Sequence, residues 1–227
     1  MQHTLNVESL GSSPTQRAKF KINNDMQNVK LEMGVRRAWG WYELPDWNIT
    51  IGAPLKCGST TIKHFIFIND VPFYHVTHSQ VRGDVYFVVR HPVDRFMSLW
   101  RQKCRDDSQY IQWGAPINGE PKIGKPNYSR KTWDILSNAT PEELMDYIEA
   151  ENSEPQWTPQ TKILGKLDAT CIPLENLSDW WTDRGYGDLE SARINSTSGT
   201  EVLSDDLTQR ILTFYAKDVE LYNKSKQ

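Results

Sequence analysis

The clearest signal along the chain is an apolar run, Val85-Tyr-Phe-Val-Val89, bounded by Asp84 and Arg90. Continuous apolar character closed off by charges predicts a parallel strand buried on both faces, here Asp84–Arg90. Pro92 suits the first turn of a helix, and Phe96, Leu99 and Trp100 then recur at helical spacing to about Cys104. Upstream, Trp47–Gly52 reads as a strand, and Ile62–Ile68 as part of a helix that ends near Asn69. Val71–His78 is rich in β-branched and aromatic residues and predicts a second strand. Downstream, Thr140-Pro-Glu-Glu143 is a capping box that starts a helix to about Glu151. Asp168–Pro173 predicts a short strand, Glu175–Arg184 a short helix, and Ser204 the cap of one final helix.

Strands alternating with helices predict an α/β fold, three layers deep, around a central and mainly parallel sheet. The α/β domain is expected to span 46–227, with residues 1–45 as an N-terminal extension packed on its edge. Residues 105–131 carry repeated Gly and Pro with Tyr110, Trp113 and Tyr128 among them. That length of irregular chain predicts an insertion acting as a lid or acceptor-binding loop.

Composition narrows the partners. A net charge of −3 over 227 residues gives no bulk attraction to nucleic acid or to an anionic membrane, so any anion site is local. No apolar run reaches the roughly 18 residues of a membrane span, and the polar start lacks the order of a signal peptide. A cytoplasmic location is therefore expected. The 3 cysteines are widely spaced and form neither a disulfide framework nor a zinc pattern, and no metal is expected. The 9 tryptophans read either as core packing or, for some of them, as the lining of a groove for a flat or sugar-like partner.

Candidate chemistry concentrates in Ile51-Gly-Ala-Pro-Leu-Lys-Cys-Gly-Ser-Thr-Thr-Ile62. A strand, a small-residue turn and a helix start make a P-loop-like anion cradle. The first N–H groups of a helix have no partner within it, and the helix dipole favours a phosphate or sulfate there. Gly58 admits close approach, Ser59, Thr60 and Thr61 add hydroxyls, and Lys56 adds a cation. The nucleoside triphosphate P-loop fits poorly, because Ser59 stands where that motif has its Lys. A second anion-suited corner is Arg90 with Ser98, one turn beyond Arg95. Both corners fall at the carboxyl ends of their strands, where ligands of such sheets bind.

Pro54-Leu-Lys-Cys-Gly-Ser-Thr-Thr-Ile62 resembles the 5′-phosphosulfate loop of sulfotransferases that use 3′-phosphoadenosine 5′-phosphosulfate (PAPS). Arg90-His-Pro-Val-Asp-Arg-Phe-Met-Ser98 resembles their 3′-phosphate motif, Arg-x-Pro-x-x-Arg-x-x-Ser. Trp157-Thr-Pro-Gln160, Ile172-Pro-Leu-Glu-Asn-Leu177, Ile194-Asn-Ser196 and Phe214–Tyr222 are similar to pieces of the Golgi-type carbohydrate branch and its microbial relatives. The Arg-Lys-Gly motif of the small-molecule branch is not found, which favours the carbohydrate-like one.

The resemblance implies transfer of a sulfonyl group from PAPS to an acceptor hydroxyl, of a saccharide by the branch likeness, with adenosine 3′,5′-bisphosphate (PAP) as product. It implies that Lys56 stabilises or protonates the leaving oxygen, and that the N–H groups of Cys57, Gly58, Ser59, Thr60 and Thr61 hold the 5′ end. Arg90 and Ser98 are expected at the 3′-phosphate, with Ser196 as a further candidate there. Deprotonating the acceptor needs a base. His78, at the end of the second strand on the ligand-binding edge, is the candidate, and an acid from the insertion is the alternative. Two other readings stay open: a kinase-like phosphotransferase with an altered loop, and a nucleotide-binding module without activity. A kinase would want an acid beside the loop to hold Mg²⁺, and none stands out.

Overall fold

The computed structural model describes residues 40–104, 136, 138–151, 156–190 and 201–227. Their strands are β1 (Gly40–Leu44), β2 (Ile49–Ala53), β3 (Tyr74–Val76), β4 (Asp84–Val89) and β5 (Thr170–Pro173). Their α-helices are α1 (Ser59–Ile68), α2 (Pro92–Lys103), α3 (Pro141–Ala150), α4 (Gln160–Leu164), α5 (Leu177–Asp183), α6 (Asp205–Phe214) and α7 (Ala216–Lys224). The insertion at 105–131 and Ser196 lie outside the described residues, as do residues 1–39.

The sheet is mixed, in the order β3-β1-β2-β4-β5. β2 pairs in parallel with β4, and β4 with β5, while β1 pairs antiparallel with both β2 and β3. The expectation of a mainly parallel sheet therefore needs refining. Four strands share one direction, but two of the four pairings are antiparallel because β1 runs the other way between β2 and β3. β1 also falls within the residues read as an edge extension, yet it is paired on both sides. Its burial explains this: Trp41, Tyr42 and Leu44 are all at most 2 % exposed. β3 is shorter than Val71–His78 and covers Tyr74–Val76 alone.

Alternation along the strands feeds two cores. On one face Ile51, Val88 and Ile172 pack with Ile62, Phe65 and Ile66 of α1 and with Leu177 and Trp181 of α5. On the other, Trp41, Phe87 and Val89 pack with Ile163 of α4 and Tyr222 of α7. Helices thus cover both faces of the sheet. A third cluster joins α2, α3 and α6 through Phe96, Leu99, Leu144, Met145, Ile148, Leu207 and Ile211. Burying each such side chain is worth about 1.5–3 kcal/mol. Gly52 has a structural reason: the Trp41 ring lies on it, and a Cβ there would stand 2.5 Å from Trp41 Cζ3.

Two helix starts agree with their sequence signals. Thr140 makes the capping box with Glu143, and Ser204 accepts the Leu207 N–H at 3.2 Å. The final helix, read as one from Ser204 on, is two. Tyr215 departs from helical geometry at φ −103°, ψ 29°, and its hydroxyl donates to the Trp157 carbonyl at 2.8 Å. The bend swings α7 against β5 and α4. No helix among the described residues is long and apolar enough to cross a membrane.

Candidate active site

The loop after β2 closes as a turn, with the Cys57 N–H donating to the Pro54 carbonyl at 3.0 Å. Lys56 (φ 69°) and Gly58 (φ 77°) both take left-handed geometry. Gly58 then caps α1, its carbonyl accepting the Ile62 N–H at 3.1 Å. No side chain caps this helix, and the N–H groups of Gly58, Ser59, Thr60 and Thr61 have no partner among the described residues. Open donors at a helix start suit an anion. They begin at Gly58, not at Cys57 as the sequence suggests, because the turn takes the Cys57 N–H. The Cys57 thiol lies beneath the loop, fully buried, and donates to Gln160 Oε1 at 3.2 Å. Burial pushes that thiol up to about 11, against the pull of Arg95 and Arg90.

The second corner meets the first. Arg90 follows β4, and its Nη1 donates to the Lys56 carbonyl at 3.0 Å. Lys56 Nζ donates to Gln102 Oε1 in the last turn of α2. Ser98 lies one turn before Gln102, buried within α2. Arg95, which the sequence places on the face of Ser98, is 4 % exposed. Its guanidinium donates to three carbonyls: Leu55 at 3.2 Å, Thr158 at 2.9 Å and Gln156 at 3.2 Å. It therefore brackets the loop against the chain leading into α4.

His78 follows β3 at the same end of the sheet as Lys56, since β3 points the same way as β2. Its Nε2–H donates to the Leu164 carbonyl at 2.8 Å, and its ring meets Trp41 edge-on. Those contacts are with α4 and β1, so the structure does not join His78 to Lys56 or Arg90 by any described hydrogen bond.

Sequence reasoning missed two residues behind the site. Gln160 is wholly buried. Its Oε1 accepts the Arg90 N–H at 2.9 Å and its Nε2 donates to the Arg90 carbonyl at 2.9 Å. Asp218 of α7, 1 % exposed, accepts the Gln160 N–H at 2.7 Å. Gln160 closes Trp157-Thr-Pro-Gln160 and Asp218 lies within Phe214–Tyr222, both stretches that carry the resemblance, but nothing local ties the two residues, which lie 58 apart.

A strand–loop–helix whose helix start carries no described partner, beside two basic side chains that follow adjacent parallel strands, defines an α/β protein with an anion-suited corner. The model described as Sulfotransferase family matches residues 55–181, more than half of the 227, and the chain belongs to that family. The match takes in Lys56, His78, Arg90, Ser98 and Gln160 and stops short of Ser196 and Asp218. No curated protein and no solved structure matched the chain.

Proposed function

We propose that the protein transfers the sulfonyl group of PAPS to an acceptor hydroxyl, that of a saccharide. The observation that carries this reading is the 3.0 Å hydrogen bond from Arg90 Nη1 to the Lys56 carbonyl. It brings two anion-suited corners to one edge of the β2–β4 pair, as a donor with anionic groups at both ends requires. The donor set fits such a molecule: four open N–H groups at the start of α1, with Lys56 and Arg90 half-buried beside them.

PAPS, when bound, supplies a sulfonyl group carried on a phosphate leaving group. The N–H groups of Gly58, Ser59, Thr60 and Thr61 hold the 5′ end in the field of the α1 dipole. Lys56 stands over that end and offsets negative charge as it develops on the leaving oxygen. Arg90 and Ser98 bind the 3′-phosphate, each charge-assisted hydrogen bond being worth about 1.5–3 kcal/mol. His78 takes the acceptor proton; with Nε2–H held by Leu164, its Nδ1 is the nitrogen that receives it. Fixing both reactants supplies up to about 7–11 kcal/mol of the barrier. The saccharide acceptor is supported by the likeness of the chain beyond Trp157 to the carbohydrate branch.

Adenosine 3′,5′-bisphosphate should raise the melting temperature well above what ATP with Mg²⁺ achieves. Labelled sulfate from PAPS should then appear on a member of a panel of glycans and small alcohols. Stabilisation by ATP with Mg²⁺ alone would transfer the reading to a phosphotransferase. Binding of the bisphosphate without transfer to any acceptor would leave a nucleotide-binding module.

A further inference from the structure

We propose that Gln160 positions Arg90, and that preference for a nucleotide bearing a 3′-phosphate runs through its side-chain amide; this rests on the sulfotransferase reading above. The ladder between β4 and β5 ends at Val89 opposite Pro173. Arg90 is the next residue, beyond the last strand pair, and its peptide groups find their partners in a side chain. Gln160 supplies both, accepting the Arg90 N–H and donating to the Arg90 carbonyl at 2.9 Å each. The side-chain amide thereby acts as one more rung of the sheet.

Two bonds to the N–H and C=O of one residue fix its φ and ψ and hence the direction of its Cα–Cβ bond. For Arg90 that direction delivers the guanidinium to the Lys56 carbonyl. The same Gln160 Oε1 accepts the Cys57 thiol at 3.2 Å, so one buried amide touches the chain at both corners. Gln160 is itself fixed from behind, because Asp218 holds its N–H at 2.7 Å. With 0 % exposure Gln160 cannot touch a nucleotide. Its part is positioning, and it acts through Arg90.

The test uses the full chain and two probes, adenosine 3′,5′-bisphosphate and adenosine 5′-phosphate, with affinities from calorimetry. Amide hydrogen exchange at Arg90 is read in the same samples. In the wild type the Arg90 amide should be protected although it lies past the last strand pair; rapid exchange there overturns the proposal before any variant is made. Gln160→Leu keeps the bulk and removes the amide. It should release the Arg90 amide and lower the ratio of the two affinities roughly tenfold, the worth of one hydrogen bond to a charged group. Affinity for adenosine 5′-phosphate should fall by less, since in the 5′ loop Gln160 gives up its bond to the Cys57 thiol while the helix-start donors remain. Equal loss for both nucleotides, as from general loosening, overturns the proposal, and so does an unchanged ratio.

Gln160→Met is the second variant should the Leu form fail to fold. Its unbranched thioether fills the space but neither accepts strongly from the Arg90 N–H nor donates to the Arg90 carbonyl, so it too should lose selectivity. If the wild type shows no preference for the bisphosphate, the sulfotransferase reading fails at its 3′ end. The exchange data then judge the positioning alone: loss of Arg90 protection in the variants supports it, and retained protection overturns it.

Discussion

The carboxylate of Asp218 closes the first turn of α4. Its Oδ2 accepts the Gln160 N–H at 2.7 Å, and its Oδ1 accepts the Thr161 N–H and the Thr161 hydroxyl at 2.8 Å each. The chain's own anion thus fills the positive end of α4. At α1 the cap is Gly58, with no side-chain acceptor, and the first donors have no partner among the described residues. The difference is one of chemistry as well as place. A helix start satisfied from within is a structural joint, and one left open beside Lys56 and Arg90 can receive a ligand.

Asp218→Asn should destabilise the protein. The side-chain amide has the shape of the carboxylate but presents an NH₂ to one of the three donors. Charge-assisted bonds to buried N–H groups weaken, and one donor is left facing another. A loss of about 2–4 kcal/mol is expected, read as a lower urea midpoint at unchanged slope. A midpoint equal to that of the wild type would remove Asp218 from the account of how α4 is held.

Lys56→Ala should act on the rate more than on binding. The nucleotide would still meet the donors of α1 and the Arg90 guanidinium, so affinity for adenosine 3′,5′-bisphosphate should fall less than tenfold. Single-turnover transfer should fall on the order of 10²–10³, the usual effect of removing one group that meets developing charge. Lys56→Arg should not restore the rate, because a planar fork does not replace a compact ammonium at the end of this stem. A Lys56→Ala enzyme with wild-type turnover would contradict the role.

Much of this arrangement was legible before the structure, and the reasons differ by element. β4 announced itself because Val85–Val89 is continuously apolar and Phe87–Val89 is buried, and the Gly58 loop because its small residues suit a turn at a helix start. Arg90 and Lys56 could be paired on paper because both end adjacent parallel strands. β1 escaped because Gly40-Trp-Tyr-Glu-Leu44 shows no clean alternation: its burial comes from β2 and β3 beside it and from helices on both faces. Helical spacing put Arg95 on the face of Ser98 but cannot show that three carbonyls surround its guanidinium. Gln160 and Asp218 escaped for the same reason, since a buried polar contact across 58 residues leaves no local pattern.

His78→Ala tests the base. The imidazole is held by Leu164 on one nitrogen and by Trp41 on its edge, so removing it costs a hydrogen bond worth about 0.5–1.5 kcal/mol. The larger effect should fall on transfer, about 10²–10⁴ at neutral pH, with affinity for adenosine 3′,5′-bisphosphate unchanged. Full turnover in this variant would assign His78 to pinning α4 against β1 and direct attention to other bases.

Gly58→Ala should hurt both stability and binding. At φ 77° an L side chain is strained, and its Cβ would stand 2.8 Å from Leu174 Cδ1. The conformational cost is about 1–2 kcal/mol, and Leu174 must also shift. Because Gly58 starts the row of open donors, a displaced loop should weaken bisphosphate affinity as well. A calorimetric titration beside a thermal melt separates the two effects. If both match the wild type, the loop tolerates a Cβ and the cradle is not shaped as described.

Cys57 makes a prediction about pH. Burial raises the thiol from 9.0 to about 11, partly offset by Arg95 and Arg90. A thiol is neutral when protonated, so the folded state keeps this proton at pH values where the unfolded chain has already lost it. Stability from this group is complete below about pH 9 and is lost as the pH rises through 9 toward about 11. The change amounts to roughly 2–3 kcal/mol for a fully buried group. Cys57→Ala removes this part of the pH dependence and leaves that of the buried Tyr42 and Tyr215 and the half-buried Cys171 in place. The difference in urea stability between wild type and variant should therefore be flat up to about pH 9 and then shift in favour of the variant. A flat difference through pH 10.5 would mean that the thiolate is accommodated beneath the loop, and that Arg90 and Arg95 offset its burial more fully than the geometry suggests.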